Sequence, residues 1–268
     1  MNQGPTGSRP VMPLITLLTD FGTADGYVAE MKGVLLTEAP GATLVDASHE
    51  VGPQDVDGAR LALARYWLRY PAGTVHLVVV DPGVGTERAA LAVESEGRRL
   101  VGPDNGVLTP ALLRAGARAV RLAVPARTAA TFHGRDVFAP AAARLAAGAA
   151  LDALGAPVDA PVLRRTPEAR RLADGGIEGQ VIAVDRFGNA ITNLVASGAT
   201  AAPGGMVQLG DPAWRTVPIR RVYADVAPGE AVALAGSNGL LEIALRDGSA
   251  AAGMGLRRGA RVVLYREA

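Results

Sequence analysis

Cysteine is absent from the 268-residue sequence, and its absence excludes a disulfide framework, a thiolate nucleophile and a zinc–thiolate site. No apolar run approaches the roughly 20 residues that a membrane helix needs, and residues 1–10 lack the apolar core of a signal peptide. The formal net charge of +1 gives no reason to expect nucleic acid or an anionic membrane as a partner. These absences predict a soluble cytoplasmic protein.

Hydrophobic residues make up 49% of the chain, although aromatic residues make up only 4%. A chain of this length and composition can bury one large core or two ordinary ones. In residues 12–155 apolar runs with a strand pattern alternate with helical patterns, which predicts an N-terminal Rossmann-like α/β domain. The predicted strands cover 14–18, 42–45, 73–80, 91–95, 99–101 and 119–124, and the predicted helices cover 26–38, 55–70, 107–113 and 137–147.

The pattern changes after residue 155. Residues 156–176 are rich in Pro, Ala, Arg and Gly without a firm period, and they are predicted to be a linker. Residues 177–268 read as short alternating strands separated by turns, which predicts a smaller C-terminal antiparallel β-barrel domain. Its predicted strands cover 177–184, 190–194, 206–209, 217–223, 231–235, 240–245 and 261–265.

Two strands of the α/β domain end in a carboxylate. Asp20 follows the first strand, and Asp81 follows the valine run that ends at Val80. Ligand sites in open α/β sheets lie beyond the carboxyl ends of the strands, so both side chains are candidate site residues. Arg88 lies on the same short glycine-containing loop as Asp81, where it can hold the carboxylate ionised and oriented. Taken singly, each residue can equally be a turn cap or a solvated charge.

Three further loops carry polar residues that are candidates for a site. His133, one of three histidines, precedes an alanine-rich helix. In the second domain the segments DRFGN (185–189) and GSNG (236–239) join predicted strands. A hairpin turn also explains Gly188-Asn189 in the first segment without any function, and both interpretations of that segment stay open at this point.

Six separated motifs follow one another across nearly the whole chain: TDFGTADGYV, VDPGVGTER, GPDNG, FHGRDVFAP, VDRFGNAITN and SNGLLEIA. In this order they resemble the S-adenosyl-L-methionine (SAM) hydroxide adenosyltransferase family, also called the SAM hydrolases. The resemblance extends to the related fluorinating and chlorinating enzymes. It implies an N-terminal α/β domain, a C-terminal β-barrel domain and a homotrimer whose active sites lie between the N-domain of one subunit and the C-domain of the next.

The resemblance implies a role for each matching position. The family's Asp-Arg-His set, which handles the water nucleophile, maps onto Asp81, Arg88 and His133. In the halogenating relatives tyrosine stands at the position of Asp81 and commonly at that of His133, which favours water over halide here. The implied substrate-binding residues are Asp20 for the ribose hydroxyls, Asp185 and Ser237 for the methionine ammonium and carboxylate, and Phe187, Asn189 and Tyr223 for adenine. Asn238, counted with them, replaces an arginine of the fluorinating relative.

The predicted function is therefore hydrolysis of SAM to adenosine and L-methionine, by attack of an activated water or hydroxide at the ribose C5′, without a cofactor or metal. Three alternatives stay open. The protein can be a SAM-dependent halogenase, or a non-catalytic adenosine- or SAM-binding module. It can also be a metal-dependent phosphohydrolase, if a ligand cluster forms from Asp20, Asp46, Asp81, Asp104 and His133.

Overall fold

The computed structural model of the chain describes residues 12–196, 205–210 and 215–265. The chain divides into two compact units between Arg164 and Arg165, inside the stretch 156–176 that the sequence marked as a linker. Residues 197–204, 211–214 and 266–268 of the predicted second domain lie outside the described residues. Within the described residues, no helix combines the length and the apolar character needed to cross a bilayer.

The first unit is built on a mixed sheet of seven strands. They are β1 (Leu14–Thr19), β2 (Thr43–Ser48), β3 (Val75–Val79), β4 (Ala90–Ser95), β5 (Arg98–Pro103), β6 (Arg118–Leu122) and β7 (Gly155–Pro157). Their order across the sheet is β2-β1-β3-β5-β4-β6-β7. The pairs β1–β2, β1–β3 and β3–β5 are parallel, whereas β4 pairs antiparallel with both β5 and β6, and β6 does so with β7.

Helices cover both faces of this sheet, because its central strands are apolar on both sides. They are α1 (Tyr27–Glu38), α2 (Val56–Tyr66), α3 (Thr109–Leu112) and α4 (Ala139–Ala146). In β3 and the residue after it, Leu77 and Val79 enter a core with residues of α1 and α4, whereas Val78 and Val80 enter a core with residues of α2 and α3. This alternation follows from the two-residue period of a strand, and it confirms the Rossmann-like α/β prediction.

The second unit is an antiparallel sheet that nearly closes into a barrel. Its strands are β8 (Arg170–Arg171), β9 (Ile177–Val184), β10 (Ala190–Val195), β11 (Met206–Leu209), β12 (Arg215–Pro218), β13 (Ala231–Ala235), β14 (Leu240–Leu245) and β15 (Arg261–Tyr265). The order is β12-β11-β15-β9-β10-β14-β13, with β8 paired to β9. A bridge between Ile219 and Ala233 brings the two edges together. The predicted antiparallel β-barrel is thus confirmed.

Two local features of the second unit differ from the sequence prediction. The strand predicted over 217–223 ends at Pro218, and Tyr223 begins a short 3₁₀ turn, Tyr223–Asp225. The Asp225 carboxylate accepts hydrogen bonds from the backbone N–H groups of Arg221 and Val222, both at 3.2 Å, and this bends the chain out of the strand. A short helix, α5 (Ala250–Met254), was not predicted; the Ser249 hydroxyl caps it by accepting from Ala252 N at 3.1 Å.

Candidate active site

Asp20 and Asp81 lie at the same edge of the first sheet. They follow β1 and β3, which are parallel neighbours with Thr19 opposite Val79, so both strands deliver their next residues to one edge. The Asp20 carboxylate accepts a hydrogen bond from the backbone N–H of Gln54 at 2.7 Å. Gln54 has φ of 63°, a strained conformation for a residue other than glycine. The strained backbone conformation thus lies at the same residue whose backbone N–H holds the Asp20 carboxylate.

Arg88 joins Asp81 and His133 into one hydrogen-bonded chain. Its Nε donates to Asp81 Oδ1 at 2.9 Å, and its Nη2 donates to Asp81 Oδ2. The same Nη2 lies 3.0 Å from His133 Nδ1. The side chains of Arg88 and Asp81 are only 10% and 5% exposed, so this pairing is screened from bulk water. The structure thus brings together the three residues that the family resemblance singled out.

The contact with Arg88 fixes the protonation of His133. A guanidinium N–H can only donate, so His133 Nδ1 must accept and cannot carry a proton. The ring is therefore neutral, with its hydrogen on Nε2. Burial and the positive charge of Arg88 lower the pKa of His133 below its ordinary value, against the opposing effects of Asp81 and Asp136. Among the described residues Nε2 has no hydrogen-bond partner, so its N–H is available to a ligand.

Residues around the three hold them in place. The Arg88 guanidinium stacks 5.1 Å from the ring centre of Phe138, which is fully buried. The Asn105 amide donates to the carbonyl of Val80, directly before Asp81, at 2.9 Å. Gly85, with φ of 76°, packs so close to the carbonyl of Ala130 that a Cβ atom there would lie 2.4 Å from the oxygen. This close approach brings the loop of Asp81 beside the chain segment that leads to His133.

His133 itself precedes an irregular helical turn. Gly134–Phe138 forms a π-helical turn that leads directly into α4, where the sequence predicted regular helix from 137. Such turns recur at functional sites because they place side chains that a regular helix would direct elsewhere.

The remaining predicted residues lie in the second unit. In the loop between β9 and β10, Asp185 Oδ1 accepts from the backbone N–H groups of Phe187 and Asn189, both at 2.9 Å, and Oδ2 accepts from Asn189 Nδ2 at 3.0 Å. Phe187 is 78% exposed. Hydrogen bonds to Asp185 thus hold the backbone of the loop, while the aromatic ring of Phe187 is exposed to solvent. A hairpin turn alone does not require an exposed aromatic ring.

Tyr223 and the turn of Ser237 and Asn238 lie around a residue that the sequence analysis missed, Glu242. The Tyr223 hydroxyl donates to Glu242 Oε1 at 2.5 Å. Burial, this hydrogen bond and the negative charges of Glu242 and Asp185 raise the pKa of Tyr223 to about 12. Asn238 Oδ1 accepts from Leu240 N at 3.1 Å, which closes the turn. A charged residue at the partly buried position 242, inside the apolar run LLEIAL, was the available signal.

The five residues proposed as ligands of a metal-dependent phosphohydrolase, all of them described by the structure, do not form a metal site. In the parts of the chain that the structure describes, no three His, Asp or Glu side chains come together as a candidate metal site. Asp104, one of the proposed members, instead accepts from the backbone N–H of Val162 at 2.7 Å. Asp46 forms an ion pair with Lys32 at 2.6 Å.

Comparisons with known proteins agree with this architecture. Sequence models of the SAM hydroxide adenosyltransferase N-terminal and C-terminal domains match residues 15–155 and 179–263. The chain is 46% identical to an (R)-S-adenosyl-L-methionine hydrolase of Thermus thermophilus over 96% of this chain and 99% of that one. It is 31% identical to a fluorinase of Actinopolyspora mzabensis, over 95% and 97%.

A solved structure of an uncharacterized conserved protein from Thermotoga maritima superposes with a TM-score of 0.85 at 32% identity, over 94% of this chain and 100% of that one. The two domain models, the similar sequences and the similar solved structure are consistent with one another. The chain belongs to the SAM hydroxide adenosyltransferase family.

Proposed function

We propose that the protein hydrolyses S-adenosyl-L-methionine to adenosine and L-methionine, with the (R) epimer at sulfur as its substrate. The observation that carries this proposal is the hydrogen-bonded chain of Asp81, Arg88 and neutral His133 at the carboxyl edge of the first sheet. The (R) epimer is proposed because the Thermus thermophilus relative is named for it.

The three side chains can hold one water molecule in a defined orientation. Each oxygen of Asp81 accepts one hydrogen bond from Arg88 and keeps a further lone pair for a water O–H. The Nε2–H of His133 can donate to the same water. In the proposed step the water oxygen bonds to the ribose C5′, the C5′–S bond breaks with its electron pair on sulfur, and the water proton passes toward Asp81. Neutral methionine leaves, so no general acid is needed.

In-line positioning of this kind can contribute about 7–11 kcal/mol to lowering the barrier. A general base can add roughly a hundredfold or more in rate. The site residues of this chain supply both contributions without a cofactor, and we propose that none is used.

The charge of the site also suits a cationic substrate. Among the described residues, Asp20, Asp185 and Glu242 have no ion pair with Arg or Lys. SAM carries a sulfonium and an ammonium group, and unneutralised carboxylates attract both. In this proposal Asp20 binds the ribose hydroxyls, Asp185 and Ser237 bind the ends of methionine with Asn238 beside them, and Phe187, Asn189 and Tyr223 surround adenine.

The proposed assembly is a homotrimer with each active site between the first unit of one copy and the second unit of the next. The exposed Phe187 and the half-exposed Tyr223, at 78% and 42%, support it, because aromatic groups that bind a ligand between copies are bare in the single chain. Mixing two inactive variants, Asp81→Asn and Asp185→Ala, should restore activity, since some interfaces then combine two intact halves. No recovery after subunit exchange would contradict shared sites.

A product assay tests the reaction. Purified protein is incubated with each SAM epimer, with and without chloride, fluoride or a chelator, and the products are separated chromatographically. We expect adenosine and methionine from the (R) epimer, unaffected by chelator. Halide-dependent 5′-halo-5′-deoxyadenosine would identify a halogenase instead, and adenosine binding without any product would identify a binding module. The cytoplasmic location stays a prediction, which cell fractionation tests.

A further inference from the structure

His49 is a buried histidine that the proposed reaction does not use. His49 comes directly after β2 and is only 5% exposed. Its Nδ1 lies 2.8 Å from the hydroxyl of Thr19, the last residue of β1, which is fully buried. Because Thr19 is inaccessible, this pair cannot serve as a nucleophile and its base. The contact instead joins His49 to the residue directly before Asp20.

The turn that carries Asp20 is held at several points by His49 and Thr19. The Thr19 hydroxyl also accepts from the backbone N–H of Phe21 at 3.3 Å. The backbone carbonyl of His49 accepts from Gly22 N at 2.8 Å. The two donors, the N–H groups of Phe21 and Gly22, belong to the turn that follows Asp20. His49 therefore fixes the backbone on either side of the Asp20 carboxylate, while Gln54 N holds the carboxylate itself.

His49 is in turn anchored on its far side. Its Nε2 lies 3.0 Å from Asp46 Oδ1, at ion-pair distance although the ring N–H is not well aligned with the oxygen. Asp46 Oδ2 accepts from Lys32 of α1 at 2.6 Å. Burial works to raise the pKa of Asp46, but the interactions with Lys32 and His49 outweigh it and lower the pKa below its ordinary value. Asp46 is thus a fixed negative charge that orients the imidazole.

We propose that His49 is a positioning residue for substrate binding, which acts through the Thr19 hydroxyl on the turn that places the Asp20 carboxylate against the ribose hydroxyls. The inference rests on the proposed function in one respect, the assignment of Asp20 to the ribose.

Two substitutions separate the two ends of the imidazole. Gln places its amide near the position of Nε2, so His49→Gln keeps a group facing Asp46 and loses the contact with Thr19. Asn places its amide near the position of Nδ1, so His49→Asn keeps a partner for Thr19. Loss of a single neutral hydrogen bond corresponds to about a five- to tenfold change in an equilibrium constant. We expect adenosine to bind His49→Gln about five- to tenfold more weakly than wild type, and His49→Asn less weakly than that.

The chain offers a matched control on the same strand. Thr16, three residues before Thr19 on β1, pairs with the buried His76 through Nδ1, also at 2.8 Å. His76→Gln removes an equivalent buried pair at a distance from the turn of Asp20. It should leave adenosine affinity within about twofold of wild type. Thr19→Val, which keeps the shape of the side chain and removes the hydroxyl, should match His49→Gln and serves if that variant folds poorly.

Ribose dependence distinguishes positioning from a general structural role. The dissociation constants of adenosine and of an adenosine analogue lacking both ribose hydroxyls are measured by calorimetry for each variant. We expect His49→Gln to weaken adenosine but not the analogue, and to have no further effect in an Asp20→Ala background. Equal weakening of both ligands, or additive losses with Asp20→Ala, would overturn the inference. Wild-type protein that binds no adenosine would overturn the proposed function itself, and unchanged binding by Asp20→Ala would overturn the ribose assignment.

Discussion

Replacing Arg88 by lysine tests whether geometry, rather than charge alone, makes the candidate site work. The guanidinium makes two hydrogen bonds to Asp81 and one to His133 while it stacks on Phe138. Lysine keeps the positive charge but ends in a single ammonium group on a flexible stem. The lysine nitrogen ends near the position of the guanidinium carbon, one bond short of Nη2, and Nη2 is the atom that contacts Asp81 Oδ2 and His133 Nδ1. The variant therefore loses one contact with Asp81 and the contact with His133.

The expected size of the effect follows from those two lost contacts. Hydrogen bonds that involve a charged group contribute about 1.5–3 kcal/mol each. If the loss of both contacts raises the activation free energy by about 3 kcal/mol, the rate falls by on the order of a hundredfold, because each ~1.4 kcal/mol corresponds to a factor of ten. The fall should appear in kcat more than in KM, since Arg88 is expected to align the water rather than to bind SAM.

The matched control for this variant is Arg135→Lys. Arg135 also stacks on an aromatic ring, Phe132, at 5.1 Å, and it also binds carboxylates, those of Glu30 and Asp136. In the part of the chain that the structure describes, Arg135 forms no hydrogen bond or ion pair with Asp81, Arg88 or His133. Steady-state rates of adenosine formation, with unfolding in urea as a check on the fold, should show a large loss for Arg88→Lys and less than a twofold change for Arg135→Lys. Arg88→Lys with kcat within threefold of wild type would refute the reasoning.

Asp81, His133 and the buried His76 can each be tested in the same way. Asp81→Asn, which keeps an oxygen to accept from Arg88, should lower single-turnover rates about a hundredfold or more while calorimetry finds SAM affinity within about threefold; equal losses would make Asp81 a ligand holder. The proposed reaction requires the neutral form of His133, whose pKa is lowered. We therefore expect kcat/KM to be flat at neutral pH and to fall only below about pH 6.5, and an acid limb centred above that value would contradict a neutral His133. Burial lowers the pKa of His76 to about 4, so the unfolded chain binds a proton at higher pH than the folded chain. Between pH 6.5 and 4 the free energy of unfolding should fall by about 3 kcal/mol more in wild type than in His76→Phe, and equal falls in the two proteins would contradict a titration of His76.

Much of the first unit could be predicted because its central strands are continuous apolar runs, which are typical of strands buried on both faces of a sheet. The run Val78 to Val80 followed by Asp-Pro-Gly located both the end of β3 and the carboxylate beyond it. The parallel pairing of β1 with β3 then put Asp20 at the same edge, as the βα pattern required. Boundaries were less accurate in helices: α2 ends at Tyr66 and continues as a 3₁₀ turn to Arg69, where the pattern favoured one helix to residue 70.

The properties that the sequence could not provide depend on contacts between distant residues. The neutral state of His133 follows from the donor character of Arg88, 45 residues away in the chain. Glu242 was missed because its partner is the Tyr223 hydroxyl. The sequence predicted a strand over 217–223, whereas Tyr223 lies in the 3₁₀ turn Tyr223–Asp225. Asn105 belongs to the motif GPDNG, but only the folded chain shows that its side-chain amide donates to the carbonyl of the residue before Asp81.

In the proposed reaction, a water molecule held by Asp81 and His133 becomes the 5′ hydroxyl of adenosine. A single-turnover reaction of the (R) epimer in water enriched in heavy oxygen, followed by mass spectrometry of both products, tests it directly. We predict one heavy oxygen in adenosine, on C5′, and none in methionine. Adenosine without the label, or label found in methionine, would contradict attack by water at C5′.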